Sequence, residues 1–196
     1  MLGVVSHFFA YLARMKHIRR WGLMRNTRDE NIQEHSLQVA MIAHGLAVLK
    51  RRRFGGGPDP ARVALLAVFH DAEEVITGDL PTPIKYFNPQ VAEAVDGLEA
   101  VAKERLVRML PSDLRDTYLD LFFAEPEDEE AWACVKGADR ICAYLKCVEE
   151  REAGNGEFAK AEEALRRKLE ADDDPAVRAF LEEFAPSFAL TLDELN

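Results

Sequence analysis

The residues of this 196-residue chain whose types and spacing point most directly to chemistry are His35, the pair His70-Asp71, and Asp139. Two imidazoles and two carboxylates in the order H…HD…D form a plausible ligand set for one divalent metal ion. Such a site leaves coordination positions free for water and an anionic substrate. The chain has no histidine after His70, which favours one ion over two. Mixed nitrogen and carboxylate ligation suits Mn²⁺, Co²⁺, Fe²⁺ or Ni²⁺, and the sequence does not choose among them.

The elements that must position these residues are all predicted to be helices. Apolar residues recur at helical spacing along almost the whole chain, and no competing strand pattern occurs. The predicted helices span about 6–18, 32–52, 61–76, 88–109, 112–123, 127–153, 157–171 and 175–184. Asn31 with Glu34 is typical of a capping box, and Asp59-Pro60 is typical of a helix start. We therefore predict an all-α fold, a single-domain helical bundle over residues 1–196.

The helix predicted over 61–76 is apolar nearly all round until His70, so it belongs at the centre of the bundle. A histidine and an aspartate at the end of such a helix are costly to leave unpaired, which favours a bound ligand. Taken singly, the other two residues have ordinary structural explanations. His35 resembles a capped or core histidine, and Asp139 needs only a buried partner such as Arg140 or another arginine.

Two further carboxylates are candidates for acid–base work near this pair. Glu74 lies four residues after His70 and three after Asp71, so on a continuous helix it shares a face with both. Glu73 points away from that face and is expected to be solvated. Asp79 follows on a rigid, proline-rich loop over 77–83 and is the second acid–base candidate.

Composition excludes several functional classes. A net charge of −10 and a pI near 5.0 argue against binding to DNA or RNA, whose backbones an acidic surface repels. There is no transmembrane segment, and the opening residues lack the basic and apolar regions of a signal peptide. Cys134, Cys142 and Cys147 lack metal-binding spacing and are expected to be reduced, apolar side chains. We therefore expect a cytoplasmic protein.

Several stretches make the chain recognisable beyond the H…HD…D order. They are RRWGLMRN at 19–26, EHSLQVA at 34–40, TGDLPTPIKYF at 77–87 and ADRICAYLKCVEE at 138–150. With these motifs the chain resembles the HD-domain phosphohydrolases, and within them the YfbR type of 5′-deoxynucleotidase. The resemblance runs from about Ser6 to the C-terminal APSFALTLDEL.

The resemblance implies a hydrolase, a metal-dependent phosphatase that converts deoxyribonucleoside 5′-monophosphates to deoxynucleosides and phosphate. His35, His70, Asp71 and Asp139 would hold one divalent ion, often cobalt or manganese. Arg20 would orient the phosphate, and Trp21 would pack on the sugar and exclude a 2′-hydroxyl. Glu74 would be the catalytic glutamate. The resemblance further implies substrate contacts by His35, Asp71, Asp79, Leu80, Pro81 and Thr82, and a homodimer.

One residue departs from the expected pattern, and two rival functions are open. Gly22 stands where proline is expected after the tryptophan, which predicts a looser loop and weaker sugar selectivity. One rival is another nucleotide phosphohydrolase activity, on deoxynucleoside triphosphates or a cyclic phosphodiester. The other is a catalytically silent nucleotide-binding protein, although all the expected ligands and acid–base residues are present.

Overall fold

The computed structural model describes residues 5–195, so most of the opening segment used in the signal-peptide prediction lies outside the described residues. Between those limits the regular elements are helical, and one isolated antiparallel bridge joins Arg19 and Asn31. The α-helices are α1 Phe8–Leu12, α2 Ile32–Arg53, α3 Pro60–Phe69, α4 Glu74–Thr77, α5 Thr82–Lys85, α6 Pro89–Arg108, α7 Arg115–Phe122, α8 Glu129–Glu152, α9 Ala159–Glu170 and α10 Pro175–Glu183. The predicted all-α fold is confirmed. No helix in this part of the chain is both long and apolar enough to cross a bilayer.

Side-chain caps set the starts of the principal helices. The Asn31 side chain accepts a hydrogen bond from the Glu34 amide, and the Glu34 carboxylate accepts one from the Asn31 amide, so the predicted capping box is present. Asp59, Asn88 and Asp174 cap α3, α6 and α10 in the same way, each followed by proline in the first turn. These local signals explain why the predicted starts of these helices are correct.

The core lies where α2, α3 and α8 pack together. Leu46, Leu66, Ile141 and Leu145 are fully buried there, and burying such side chains stabilises the fold by about 1.5–3 kcal/mol each. A second apolar cluster joins α1, α6 and α7 around Phe8, Leu106 and Phe122. The three cysteines are buried and unpaired, as predicted. The metal-ligand candidates lie on the three helices of the main core or at their ends.

The prediction of one continuous helix over 61–76 is wrong. Helix α3 ends at Phe69, the chain turns through residues 70–73, and the single-turn helix α4 begins at Glu74. Leu65 and Val68 are 43% and 41% exposed, so α3 is not central on all sides. The cause is tertiary, because no glycine or proline marks the turn. Ala72 is fully buried in the second apolar cluster, on the far side of the turn.

Smaller differences occur at two other predicted elements. The first predicted helix is α-helical over Phe8–Leu12 and continues as a 3₁₀ helix over Ala13–His17. The loop predicted over 77–83 runs into α5, which starts at Thr82. Phe8 and Met15, which lie in the first of these two segments, are both buried.

A buried carboxylate ties the loop over residues 19–31 to α8. Glu150 is 1% exposed and accepts hydrogen bonds from the Thr27 amide (2.9 Å), the Thr27 hydroxyl (2.6 Å) and the Asn155 side chain (2.9 Å). Lys146, also buried, pairs with Glu150 and donates to the Arg28 carbonyl at 2.6 Å. Because the loop lacks a core of its own, these bonds hold it in place.

Replacing Glu150 with alanine is therefore expected to be strongly destabilising. The change leaves the Lys146 ammonium buried without its partner, and breaking such a pair costs about 3–5 kcal/mol. The free energy of unfolding in urea measures the loss. Glu152→Ala, on the exposed end of the same helix, is the control and should change stability by less than about 0.5 kcal/mol. Equal stability of the two variants would contradict the anchoring role of Glu150.

Candidate active site

The structure brings the four predicted metal ligands together. His35 lies in the first turn of α2, His70 and Asp71 lie in the turn after α3, and Asp139 lies in α8. Nε2 of His35 is 3.0 Å from Asp139 Oδ1 and 3.6 Å from Asp71 Oδ2. Nε2 of His70 is 3.0 Å from Asp71 Oδ2. Ligand atoms of His35, His70 and Asp71 all lie within 4.8 Å of one another, a spacing that suits a single ion.

The His70 ring is held in the tautomer that a metal ligand requires. Its Nδ1 donates a hydrogen bond to the Ala67 carbonyl at 2.7 Å, so the lone pair of the neutral ring is on Nε2. The Nε2 atoms of His35 and His70 are both buried, and each lies 3.0 Å from a carboxylate oxygen in a geometry that does not form a hydrogen bond. Buried nitrogens facing two carboxylates fit a divalent cation of the kind that binds histidine and aspartate.

The electrostatics of the cluster favour a positive charge. Burial lowers the pKa of His70, but the Asp71 and Asp139 carboxylates outweigh it and raise that pKa to about 9. Burial raises the pKa of Asp71, but His70, His35 and Arg20 together bring it below its usual value. The pKa of Asp139 is lowered in the same way, chiefly by His35. Carboxylates that stay ionised beside imidazoles are the arrangement a cation site needs.

Arg20 lies directly beside this cluster. Its Nη1 is 2.9 Å from Nδ1 of His35, and its Nη2 is 3.8 Å from Asp139 Oδ1. Its side chain is only 14% exposed, so the guanidinium faces the cluster instead of bulk water. Arg140, the alternative partner considered for Asp139, pairs with Asp172. The arginine next to the predicted ligands is therefore the one assigned to the phosphate.

Trp21 has an uncommon backbone conformation for a large side chain. Its φ is +59°, and it is the one non-glycine residue with positive φ in the described part of the chain. Holding such a residue in the left-handed region costs about 1–3 kcal/mol and is often seen at functional sites. The indole packs edge-on against buried Phe158, with ring centroids 5.4 Å apart. A Cβ at Gly22 would meet no atom within 4 Å, so packing does not require glycine after Trp21.

The structure corrects the reasoning about the glutamates after Asp71. Because the helix is broken, His70 and Glu74 do not share a helix face as argued from spacing, and Glu73 is not solvated. Glu73 is 4% exposed and its Oε1 lies 3.3 Å from Lys103 Nζ. Burial raises the pKa of Glu73 to about 7. The turn over 70–73 redirects Glu73 inward against α6.

Glu74 nevertheless lines the same cavity as His70, Asp71 and Asp139. Burial, reinforced by the charges of Asp71 and Asp79, raises the pKa of Glu74 to about 10. Burial also raises the pKa of Asp79, whose carboxyl lies near Arg20 and the backbone amide of Trp21. Two carboxyls with raised pKa beside a ligand cluster are suited to proton transfer. Asp79 additionally links its loop to the loop that carries Arg20.

A cavity of about 220 Å³ opens beside the cluster. It is lined by His70, Asp71, Glu74 and Asp139, together with residues that sequence reasoning missed: Glu73, Lys85, Glu99, Lys103, Trp132, Val135 and Lys136. Trp132 and Lys136 were detectable, because their spacing from Asp139 on α8 puts all three on one helix face. The cavity is not lined by the three residues that follow Asp79, which are Leu80, Pro81 and Thr82. Among the described residues, no hydrogen bond or ion pair joins the side chains of these three to the metal-ligand candidates.

Comparison with known sequences gives long, close matches. A family described as "5′-deoxynucleotidase YfbR-like" matches residues 7–188. A 5′-deoxynucleotidase of Vibrio cholerae is 55% identical over 191 residues, which cover 97% of this chain and 98% of that protein. The 5′-deoxynucleotidase YfbR of Escherichia coli is 53% identical over 191 residues, which cover 97% of this chain and 96% of that protein.

Solved structures with the same fold include two described as HD-domain phosphohydrolases. One from Listeria innocua superposes with a TM-score of 0.79 at 20% identity, covering 93% of this chain and 88% of that one. The cyanophage S-2L HD phosphohydrolase DatZ, bound to dA and one catalytic Zn²⁺ ion, has a TM-score of 0.61 at 22% identity. That match covers 96% of this chain and 98% of the phage protein. At these identities the matches show the fold alone, and it is the HD-type bundle that was predicted.

Proposed function

This chain belongs to the 5′-deoxynucleotidase YfbR-like family, and we propose that it is a hydrolase that converts deoxyribonucleoside 5′-monophosphates to deoxynucleosides and inorganic phosphate. The observation that carries the proposal is the position of Arg20. Its guanidinium lies 2.9 Å from one predicted metal ligand, His35, and 3.8 Å from another, Asp139. A permanent positive charge there is suited to a phosphate group that meets the ligand cluster.

The proposed cofactor is one divalent ion, Co²⁺ or Mn²⁺, held by His35, His70, Asp71 and Asp139. A bound ion of this kind would neutralise charge on the phosphoryl oxygens and make water a stronger acid. The substrate contacts proposed by resemblance involve Arg20, Trp21, His35, Asp71, Asp79, Leu80, Pro81 and Thr82. The buried Nε2 atoms of the two histidines, which face carboxylate oxygens without forming a hydrogen bond, support the ligand assignment.

The chain's own residues divide the remaining work. We assign Arg20 to clamping the phosphate, and Trp21 to packing against the sugar where a 2′-hydroxyl would lie. Glu74 is assigned to aligning the attacking water or taking its proton. Asp79 is assigned to protonating the leaving 5′-oxygen. The raised pKa of Asp79 supports its role as a proton donor. The pKa of Glu74, about 10, suits a proton donor too, so the assignment of Glu74 as the base is tested separately below.

Phosphate release is the test of the proposed function. Purified protein with added Co²⁺ or Mn²⁺ should release phosphate from deoxyribonucleoside 5′-monophosphates much faster than from the ribonucleotides. A chelator should abolish release and the added ion should restore it. Absence of metal-dependent release from every monophosphate would refute the enzyme assignment. Preferential release from deoxynucleoside triphosphates would instead support the rival phosphohydrolase activity.

Substrates whose leaving groups differ in their need for a proton distinguish the roles of Glu74 and Asp79. An aryl phosphate with a p-nitrophenolate leaving group needs no protonation, whereas a 5′-oxygen does. Asp79→Asn should lower kcat on the nucleotide by about 10²–10⁴-fold and affect the aryl ester far less, while Glu74→Gln should slow both substrates alike. The reverse pattern would exchange the two roles. Near-normal turnover of Glu74→Gln on both substrates would contradict the mechanism.

Replacing Trp21 with alanine tests the account of sugar choice. Removal of the indole opens the space proposed to exclude a 2′-hydroxyl, so the ratio of kcat/KM for dAMP over AMP should fall at least about tenfold. Trp21→Phe keeps an aromatic ring and should retain most of the discrimination. An unchanged ratio in Trp21→Ala would show that the indole does not select the sugar.

We further propose that the protein is a homodimer, as its resemblance implies. The outward face of α2 carries Leu37, Met41 and Val48, which are 59%, 62% and 37% exposed and share helical spacing. A second copy of the chain is the proposed partner for this face. Analytical ultracentrifugation should detect a dimer that Met41→Lys dissociates and Val101→Lys, on α6, does not. A monomeric wild-type protein would contradict the proposal.

The proposed location is the cytoplasm. The support is chemical, because three buried and unpaired cysteines suit a reducing compartment. Cell fractionation checks the proposal, and recovery of the protein outside the cytosolic fraction would contradict it.

A further inference from the structure

The carboxylate of Glu30 joins the two side chains assigned to the substrate. Its Oε2 accepts hydrogen bonds from Arg20 Nη1 at 2.8 Å and from Trp21 Nε1 at 3.2 Å. The Glu30 side chain is 12% exposed, so water competes little for these bonds. One oxygen atom therefore fixes both the guanidinium proposed for the phosphate and the indole proposed for the sugar.

The backbone brings Glu30 opposite these residues. The Arg20 amide donates to the Glu30 carbonyl at 2.9 Å, and the Ile32 amide donates to the Ile18 carbonyl at 3.0 Å. Together with the bridge between Arg19 and Asn31, these bonds close the loop over residues 19–31 at its base. These backbone bonds align the two main-chain segments, but they do not fix the rotamers of the Arg20 and Trp21 side chains. The Glu30 carboxylate supplies that missing constraint.

The other oxygen of Glu30 faces a predicted metal ligand. Glu30 Oε1 lies 3.8 Å from Nδ1 of His35. When Nε2 of a histidine binds a metal, Nδ1 carries the proton and needs an acceptor, and a carboxylate commonly fills that role. Arg20 Nη1, at 2.9 Å from the same Nδ1, is a donor and cannot accept. In this structure Nδ1 therefore accepts from Arg20, and the ring proton is on Nε2. Metal binding at Nε2 would move that proton to Nδ1, where the Glu30 carboxylate, now 3.8 Å away, is placed to accept it and to take up the Arg20 donor.

We propose that Glu30 is a positioning residue that couples metal binding by His35 to the orientation of Arg20 and Trp21. The inference rests on the proposed function for the identity of the substrate groups. Its physical content is independent of turnover, because one carboxylate contacts all three side chains. Glu30 would touch neither substrate nor metal, and it acts through the residues that do.

The test replaces Glu30 with glutamine, which keeps the size of the side chain but removes its charge and one acceptor oxygen. Asp29→Asn is the matched control, because Asp29 is adjacent, 59% exposed and paired only at the surface with Arg19. Titration calorimetry with Mn²⁺ should give a Kd about 10–100-fold higher for Glu30→Gln than for wild type. Asp29→Asn should bind Mn²⁺ as wild type does.

A second readout follows the indole directly, in protein without metal or substrate. The ¹H–¹⁵N spectrum contains one Nε1 resonance for each tryptophan, and Trp132→Phe identifies the Trp21 signal. Glu30→Gln should shift the Trp21 signal upfield as the charged acceptor is lost, while the Trp132 signal stays in place. The ratio of kcat/KM for dAMP over AMP should fall as well, whereas Asp29→Asn should leave it unchanged.

The outcomes separate this inference from the proposed function. An unchanged Mn²⁺ Kd or an unmoved Trp21 resonance in folded Glu30→Gln would overturn the coupling, even in an active nucleotidase. If Glu30→Gln does not fold, Glu30→Asp replaces it, because aspartate keeps the charge on a shorter side chain. The Mn²⁺ Kd and the Trp21 resonance of Glu30→Asp should then change by intermediate amounts. Wild-type values of both would overturn the coupling. Changes in both readouts in a protein without nucleotidase activity would support the coupling while refuting the function.

Discussion

The constraint on which this structure depends is the compensation of charge at the junction of α2, α3 and α8. Two imidazole nitrogens and two carboxylates converge there, with Nε2 of His35 only 3.0 Å from Asp139 and 3.6 Å from Asp71. Two carboxylates within 3.6 Å of one imidazole nitrogen repel each other, so both stay ionised only where positive charge lies beside them. Arg20 and the imidazoles supply part of that charge, and a divalent cation would supply the rest. The fold thus gathers residues suited to a cation, with the Arg20 guanidinium beside them.

The loop over residues 19–31 carries Arg20 and Trp21 and is held beside the ligand cluster by polar contacts. It has no core of its own. The bridge at its base and the Arg20–Glu30 pair close the loop, and Glu150 on α8 and Glu157 attach it to the helices. This attachment allows Trp21 to hold an unfavourable backbone conformation beside the site. The same α8 carries Asp139, so one helix positions both a proposed metal ligand and the loop that carries Arg20 and Trp21.

Helix starts and the unpaired cysteines were predictable from local patterns, whereas the gathering of His35, His70, Asp71 and Asp139 was predicted from their order along the chain and from the resemblance. Asn31 and Asp59 cap their helices through side-chain chemistry that spacing alone shows. The break at Phe69 was not predictable, because the apolar periodicity continues through it and no residue over 70–73 signals a turn. That break alone made the interpretation of Glu73 wrong, and it removed the helix-face argument for Glu74. Glu30 and Glu150 were missed because, in sequence, they look like ordinary surface charges. Their roles depend on contacts between segments about 10 and 120 residues apart.

The central claim is that one ion is bound by His35, His70, Asp71 and Asp139 beside Arg20. Anomalous scattering at the manganese edge, from crystals grown with Mn²⁺, tests it most directly. The account predicts one strong peak within bonding distance of the two Nε2 atoms and the two carboxylates. Two peaks in the cluster, or a peak that contacts fewer than four of these residues, would contradict it.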